Sequence, residues 1–452
     1  MNWTSLELYS ILHTLAFFLF AGHILKVKKT PTSTLAWLFI VMIQPFLGLM
    51  MYGMFGTRKI AITNKPYPAS NFSGVNIHDP LQKFLATTGT TKASYNPEIR
   101  ILTCGEEAYA NLINSIEEAR ESVYLQTFIF SNDEVGRDVL KALTKKAAEG
   151  LDVRILMDSL GAVTLGHPSF KEFKLHGGKV VNFMPFLRRP MRGRFNLRNH
   201  RKIVLFDHKK AIMGGMNIAK EYLGPTSEPS RWVDLAVVIR GPILEDLQRT
   251  FYNDWHFTSG ETLNFKAYAP EPIPSPPNTQ LVISGPDQET DTIYDWLLGS
   301  IHTAKKRIWI TTPYFIPDES LAKALELAAK KGVDVKLIVP KKSNHILADL
   351  GRMTYISQVE KAGVQVLYYP KMIHAKLTII DDSYGFMGSA NFDIRSLLLN
   401  YEVGLILYTK DEVLKLEKWC QGLCAVSSQE KKSYSNLDAI IGGLARLFSP
   451  LI

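Results

Sequence analysis

Asn199-His200-Arg201-Lys202-Ile203-Val204-Leu205-Phe206-Asp207 returns later in the chain as Ile373-His374-Ala375-Lys376-Leu377-Thr378-Ile379-Ile380-Asp381. Both read H-x-K-x4-D. Each is followed, at the same spacing, by a small-residue turn ending in asparagine: Gly214-Gly215-Met216-Asn217 and Gly388-Ser389-Ala390-Asn391. One such motif means little in a chain of 452 residues. Two copies with matching trailers, each residue at the same separation from its twin, indicate an internal duplication.

The flanks repeat as well. Residues 108–120 have helical spacing of Ala108, Leu112, Ile113 and Ile116, and residues 122–130 form a β-branched and aromatic run of strand length. A second helix over 139–148 stops at Gly150, before a strand over 153–157. Downstream, helix 293–305, strand 307–315, helix 321–331, a stop at Gly332 and strand 333–339 follow in the same order. Helix alternating with strand, twice over, predicts an α/β fold of two duplicated sandwich halves about a pseudo-twofold axis. The halves are expected at 100–267 and 280–425, joined by a proline-rich linker at 268–279. A linker at 61–99 precedes them and a tail at 426–452 follows.

Residues 1–60 differ in kind. Residues 8–25 and 34–57 carry no charged side chain, and each is about the ~20 apolar residues needed to cross a bilayer as a helix. They predict a two-helix transmembrane hairpin and a multi-pass membrane protein, with both ends of the hairpin on one side. A cleaved signal peptide is disfavoured, since no Lys or Arg precedes the first run. Lys26, Lys28 and Lys29 in the turn balance Arg58, Lys59 and Lys65 beyond it, so the charge count leaves orientation open. The net charge of +9 favours an anionic partner, acidic lipid before nucleic acid. Cys104, Cys420 and Cys424 make neither a disulfide framework nor a zinc set, and no carboxylate cluster suggests a metal, so no cofactor is expected. In the tail, Leu437, Ile440, Ile441, Leu444, Leu447, Phe448 and Leu451 share one helical stripe. It suits a helix docked on the protein's own core or one lying on a bilayer.

If the halves meet about their axis, His200, Lys202, His374 and Lys376 surround one point, which is a phosphate site. Lys202 and Lys376, with Asn217 and Asn391, would offset charge on the nonbridging oxygens. One imidazole would attack phosphorus and form a phosphohistidine while the other protonates the departing alcohol. An attacking imidazole needs its far nitrogen fixed by an acceptor. Asp234 and Glu402 each begin an apolar strand-like run after a motif and are the candidates. Asp207 and Asp381 fall at strand ends, better placed to hold the following turn than to touch substrate.

The paired motifs resemble the phospholipase D superfamily, and the chain is similar to its bacterial cardiolipin synthases over nearly its whole length. The similarity includes Trp37-Leu38, Pro45-Phe46-Leu47-Gly48, Glu221-Tyr222, Trp232-Val233-Asp234, residues 388–396 and Asn400-Tyr401-Glu402. The resemblance implies a phosphatidyltransferase that condenses two phosphatidylglycerols into cardiolipin and releases glycerol, with no metal. It implies catalytic roles for both H-x-K-x4-D motifs, with His200 as nucleophile and His374 as acid. Ser389 stands where the first half has Gly215, so a hydroxyl beside the phosphate is expected on one side only. Arg188, Arg189, Arg192, Arg194 and Arg198, interleaved with Met191, Phe195 and Leu197, lead into His200 and read as a loop drawing anionic headgroups. A membrane-anchored phosphodiesterase hydrolysing lipid or nucleic acid would use the same residues, whereas an inactive lipid-binding scaffold has no use for both His/Lys pairs.

Overall fold

In a computed structural model of the chain, residues 4–27, 29–60, 66–67, 80–88, 90–161, 170–185, 196–266, 275–430 and 436–447 are described. Two units are separable: Met1–Ile60 with Phe186–Leu197, and Ala61–Pro185 with Arg198–Ile452.

The first unit contains α1 (Ser5–Lys26), α2 (Pro31–Ile43) and α3 (Pro45–Phe55). Thr4 caps α1 reciprocally with Glu7. Glu7–Lys26 is long and apolar enough to cross a bilayer. The second expected span is not one helix. Pro45 has no N–H to donate and disfavours helical backbone at the residue before it. Gln44 is accordingly extended, at φ −140° and ψ 86°, and the apolar run divides into α2 and α3.

In the second unit, α4 (Pro80–Thr87) precedes β1 (Glu98–Leu102), α5 (Gly105–Glu118), β2 (Ser122–Thr127), α6 (Glu134–Ala148), β3 (Asp152–Asp158), α7 (Lys171–Leu175), β4 (Lys179–Phe183), β5 (Ile203–Phe206), β6 (Lys210–Gly214), β7 (Ala236–Arg240) and α8 (Ile243–Ser259). There follow β8 (Thr279–Ser284), α9 (Thr292–Thr303), β9 (Arg307–Thr311), β10 (Phe315–Ile316), α10 (Glu319–Lys330), β11 (Asp334–Pro340), α11 (Ile346–Lys361), β12 (Gln365–Tyr369), β13 (Leu377–Ile380), β14 (Tyr384–Gly388), β15 (Phe392–Asp393), α12 (Ile394–Leu398), β16 (Glu402–Leu407), α13 (Lys410–Val426) and α14 (Asn436–Leu447).

The two large sheets have equivalent strand orders, β1-β7-β6-β5-β2-β3-β4 and β8-β16-β14-β13-β9-β11-β12. Strands β2, β3 and β4 run parallel, as do β9, β11 and β12. Local signals repeat too: Asp133 and Asp318 cap α6 and α10 through the N–H groups of Gly136 and Leu321. Gly150 and Gly332 leave those helices at φ +91° and +86°, a backbone that favours glycine. One core cluster joins the halves, with Tyr252 and Trp255 of α8 among residues from both sheets.

Residues 80–88 and 90–97, expected within a linker, are built into the second half. Leu85 is buried among Trp296 and Leu297 of α9, and Thr91 Oγ1 donates to the Leu281 carbonyl at 2.7 Å. The proline-rich join lies largely outside the described residues. In the tail, α14 docks on α11 through Gly442 and the buried Ala445, while Ile440 and Leu444 stay exposed. Of the cysteines, Cys420 is buried, Cys424 partly so and Cys104 exposed.

Candidate active site

The two motifs meet because the segments before β5 and β13 cross between halves. His200 N donates to the Tyr401 carbonyl at 2.9 Å, and Tyr401 N donates to that of Arg198 at 2.9 Å. On the other side His374 N donates to the Val233 carbonyl at 2.7 Å, and Val233 N donates to that of Met372 at 3.0 Å. The residue before each candidate carboxylate is thus paired to the motif of the opposite half.

The carboxylates cross with their backbones. His200 Nδ1 donates to Glu402 Oε1 at 3.0 Å, and His374 Nδ1 donates to Asp234 Oδ2 at 2.7 Å. Both acids are inaccessible to solvent. With Nδ1 carrying the bonded proton, Nε2 is the nitrogen left for chemistry on each ring.

All four basic groups are buried. Lys202 Nζ donates to the His200 carbonyl at 2.7 Å and lies 5.6 Å from the centre of the Phe128 ring. Lys376 Nζ donates to the His374 carbonyl and lies 3.0 Å from His374 Nε2. Burial presses each towards its neutral form. The His200 imidazole falls to about 4, with Glu402 opposing and Lys202 assisting the drop. His374 falls to about 3, with Lys376 assisting and Asp234 opposing. Lys376 falls to about 8, and Lys202 well below the usual lysine value, both through burial. Burial also acts to raise Asp234 and Glu402, but the facing imidazoles and lysines outweigh it, and both carboxyls sit below their usual values. The resting arrangement is therefore two carboxylates facing two imidazoles held neutral.

The remaining expected residues divide. Asn217 is buried, and its Oδ1 accepts from Ile129 N at 3.2 Å, while Asn391 sits buried beyond β14. The Ser389 hydroxyl donates to Glu402 Oε2 and accepts from Val403 N at 3.0 Å. Gly215 explains the asymmetry. A Cβ there would lie 2.3 Å from Asp234 Oδ1, so the shorter aspartate demands a closer backbone where glutamate leaves room for serine. Asp207 and Asp381 are outside the site, at the far ends of β5 and β13, both at φ +51°. Asp207 accepts from the N–H groups of Arg120, Glu121 and Ser122, and Asp381 from those of Lys305, Lys306 and Arg307. Each fixes the entry to the neighbouring strand rather than the turn after its own. Arg198, expected in the loop that draws anionic headgroups, is instead buried 3.5 Å from Asp158 and donates to the Met184 carbonyl. Arg188, Arg189, Arg192 and Arg194 lie outside the described residues.

Sequence reasoning missed Asp254. This buried acid of α8 accepts from both Arg201 Nη1, at 2.7 and 2.8 Å, and Gln126 Nε2, at 2.6 Å. Arg201 in turn donates to the carbonyls of Glu402 and Ser284, so the arginine inside the first motif ties the halves together behind His200. The available signal was an acid set between Tyr252 and Trp255 on an apolar helix face. Tyr222 and Trp232, with ring centres 4.9 and 5.8 Å from that of His374, wall the other imidazole.

A duplicated pair of sheets with a His/Lys pair from each half at their junction defines a phospholipase D-like protein. A crystal structure of phosphatidylserine synthase from Haemophilus influenzae shares the fold, with a TM-score of 0.62 and 16% identity over 80% of this chain and 96% of that one. The family described as "Cardiolipin synthase, PLD-like domain" matches residues 112–255 and 297–424, and "Phospholipase_D-nuclease N-terminal" matches 15–56. The chain belongs to the cardiolipin synthase family of phospholipase D-like proteins. It is 31% identical to a cardiolipin synthase of Geobacillus thermodenitrificans, covering 91% of this chain and 86% of that protein. It is 32% identical to cardiolipin synthase 1 of Bacillus anthracis (94% and 90%) and 33% identical to the major cardiolipin synthase ClsA of Bacillus subtilis (85% and 86%).

Proposed function

We propose that this protein is a membrane-associated phosphatidyltransferase that makes cardiolipin and glycerol from two molecules of phosphatidylglycerol. The observation that carries the mechanism is the crossed pairing of His200 with Glu402 and of His374 with Asp234. Each half supplies one imidazole and the carboxylate that orients the other.

An anionic phosphodiester entering between the rings brings negative charge to four buried basic groups whose charged forms burial suppresses. Lys202 and Lys376 then hold their protons and stabilise the nonbridging oxygens as charge builds on phosphorus. His200 Nε2 attacks phosphorus, and the bond to the headgroup glycerol oxygen breaks. His374, which takes up a proton from solvent as the anionic phosphodiester binds and whose charged ring the Asp234 carboxylate stabilises, gives its Nε2 proton to that oxygen. The phosphatidyl group is now on His200. A glycerol hydroxyl of a second phosphatidylglycerol gives its proton to His374 Nε2 and attacks phosphorus, and the P–N bond breaks. Glu402 stabilises the positive charge that His200 acquires while bonded to phosphorus. Asn217 and Asn391, at matching turns after the two motifs, are further candidates for contact with the phosphate.

Purified protein given phosphatidylglycerol alone should release cardiolipin and glycerol. Phosphatidic acid and glycerol in place of cardiolipin would show that water, not a lipid hydroxyl, reaches the intermediate.

A further inference from the structure

The Met1–Ile60 unit departs from a pair of membrane spans in a way its own contacts define. Helix α1, at 22 residues, is about 33 Å long and matches the ~30 Å hydrocarbon core. Helices α2 and α3, at 13 and 11 residues, are about 20 and 16 Å long, and neither matches it. They do not continue one another. Gly48 lies so close to Val41 that a Cβ would stand 2.9 Å from the Val41 Cα, whereas residues seven apart in one helix are about 10 Å apart. Beyond Gln44 the chain folds back along itself.

Contacts at the two ends fix the levels. Lys29, just before α2, donates its Nζ to the carbonyl of Gly56, just after α3, and lies 5.5 Å from the centre of the Tyr52 ring. Tyr52 OH is 3.5 Å from Nε2 of His23, in the last turns of α1. The end of α1, the start of α2 and the end of α3 therefore lie at one level. At the turn, the Met42 carbonyl accepts from His13 Nε2 at 2.8 Å, and Phe46 lies 6.1 Å from Tyr9, ring to ring, beside the first half of α1.

We propose that α2 and α3 form a re-entrant hairpin, so that the chain crosses the membrane once, through α1, and leaves it on the face where α1 ends. The charge count that was tied for two spans is then resolved. Lys26, Lys29, Arg58 and Lys59 share one face, while the first turn of α1, at the other, carries Glu7 and no Lys or Arg. Basic flanks mark the cytoplasmic side. The segment before α1 faces outward, and the chain beyond Gly56 continues in the cytoplasm. Under the proposed activity, phosphatidylglycerol is then drawn from the inner leaflet; that clause rests on the functional reading, and the topology does not.

The test uses the full chain with one epitope tag before Met1 and another after Ile452, expressed in bacterial protoplasts exposed to external protease. The expected result is loss of the first tag from intact protoplasts and retention of the second until lysis. Both tags protected, or both lost, would overturn the re-entrant hairpin in favour of two spans. Retention of the first with loss of the second would overturn the cytoplasmic assignment. None of these outcomes depends on activity, so a failed cardiolipin assay leaves the topology standing.

Discussion

Replacing Glu402 with glutamine removes one charge from the centre of the site while keeping its shape. The carboxylate takes bonds from His200 Nδ1 at 3.0 Å, from Asn400 Nδ2 at 3.2 Å and from the Ser389 hydroxyl. An amide oxygen can still accept from Nδ1, so the ring stays oriented and the loss is electrostatic. Exchanging a charge-assisted bond for a neutral one costs ~1–2 kcal/mol. The attraction between the carboxylate and a full charge on the ring adds to this, bounded by about 4 kcal/mol at an effective dielectric near 20. A loss of ~2–4 kcal/mol in the transition state lowers kcat by roughly 30- to 1,000-fold. KM should change little, because the charge on His200 develops only as it bonds to phosphorus. Initial rates of cardiolipin formation in detergent, with circular dichroism as the folding control, measure the effect. Glu402→Asp should recover part of the rate by restoring the charge. A Glu402→Gln protein that folds normally and turns over within threefold of wild type would refute the role given to this carboxylate.

Gly215→Ala, which places a methyl group on Asp234 Oδ1, should lower kcat by at least tenfold, whereas Ser389→Ala, which takes one donor from Glu402, should cost severalfold; the same initial-rate assay compares them. The histidines' contribution to stability should be full above pH 6.5 and be lost as pH drops towards 4 and 3, because the unfolded chain protonates histidines that the folded protein keeps neutral. Moving one imidazole from 6.5 to about 4 corresponds to ~3 kcal/mol, and thermal unfolding of a His200→Gln, His374→Gln protein should show a flatter acid limb. With a nitrophenyl phosphodiester, whose leaving group needs no proton, His374→Ala should retain a burst and a trapped phosphoprotein while His200→Ala gives neither, as read by stopped-flow absorbance and mass spectrometry. Cys104→Ser should keep wild-type activity, since this exposed thiol lies outside the proposed chemistry.

The duplicated architecture was legible because both halves repeat local signals that do not need tertiary context: helical apolar spacing, stops at Gly150 and Gly332, and apolar strands between them. Asp234 and Glu402 were also visible as acids opening buried strands. Their crossing was not, because position relative to a motif says nothing about which half's histidine a side chain will meet. Ser389 was expected beside the phosphate through the resemblance of its motif; its bond to Glu402 was not legible, because only the path of the chain brings that carboxylate to it. Asp207 and Asp381 share the motif's spacing but stand a strand's length from its histidines, holding backbone that any observer of a linear pattern would overlook. The break at Gln44–Pro45 had a signal in plain view, a proline in the middle of an apolar run. Composition outweighed it, because hydropathy averages over the one residue that decides the path.

The asymmetry between the two carboxylates bears on which histidine does what. Glu402 divides its charge among His200, Ser389 and Asn400, and its bond to the ring is 3.0 Å. Asp234 takes a shorter bond from His374, 2.7 Å, and its other oxygen accepts from Leu235 N. The acceptor less encumbered by other side-chain donors favours the protonated ring more, which suits His374 as acid and leaves His200 the readier nucleophile. In the resting protein Lys376 lies against the His374 ring and works against its protonation. That opposition depends on where the Lys376 ammonium rests. A phosphodiester between the rings is a stronger partner for Lys376 than its own histidine's carbonyl. Once Lys376 turns to the phosphate, its repulsion of a charged His374 is offset by the anion, while the Asp234 bond remains. In the proposed mechanism substrate binding would thus favour uptake of the proton that the first step spends, and the hydroxyl of the second lipid would return it to the same ring.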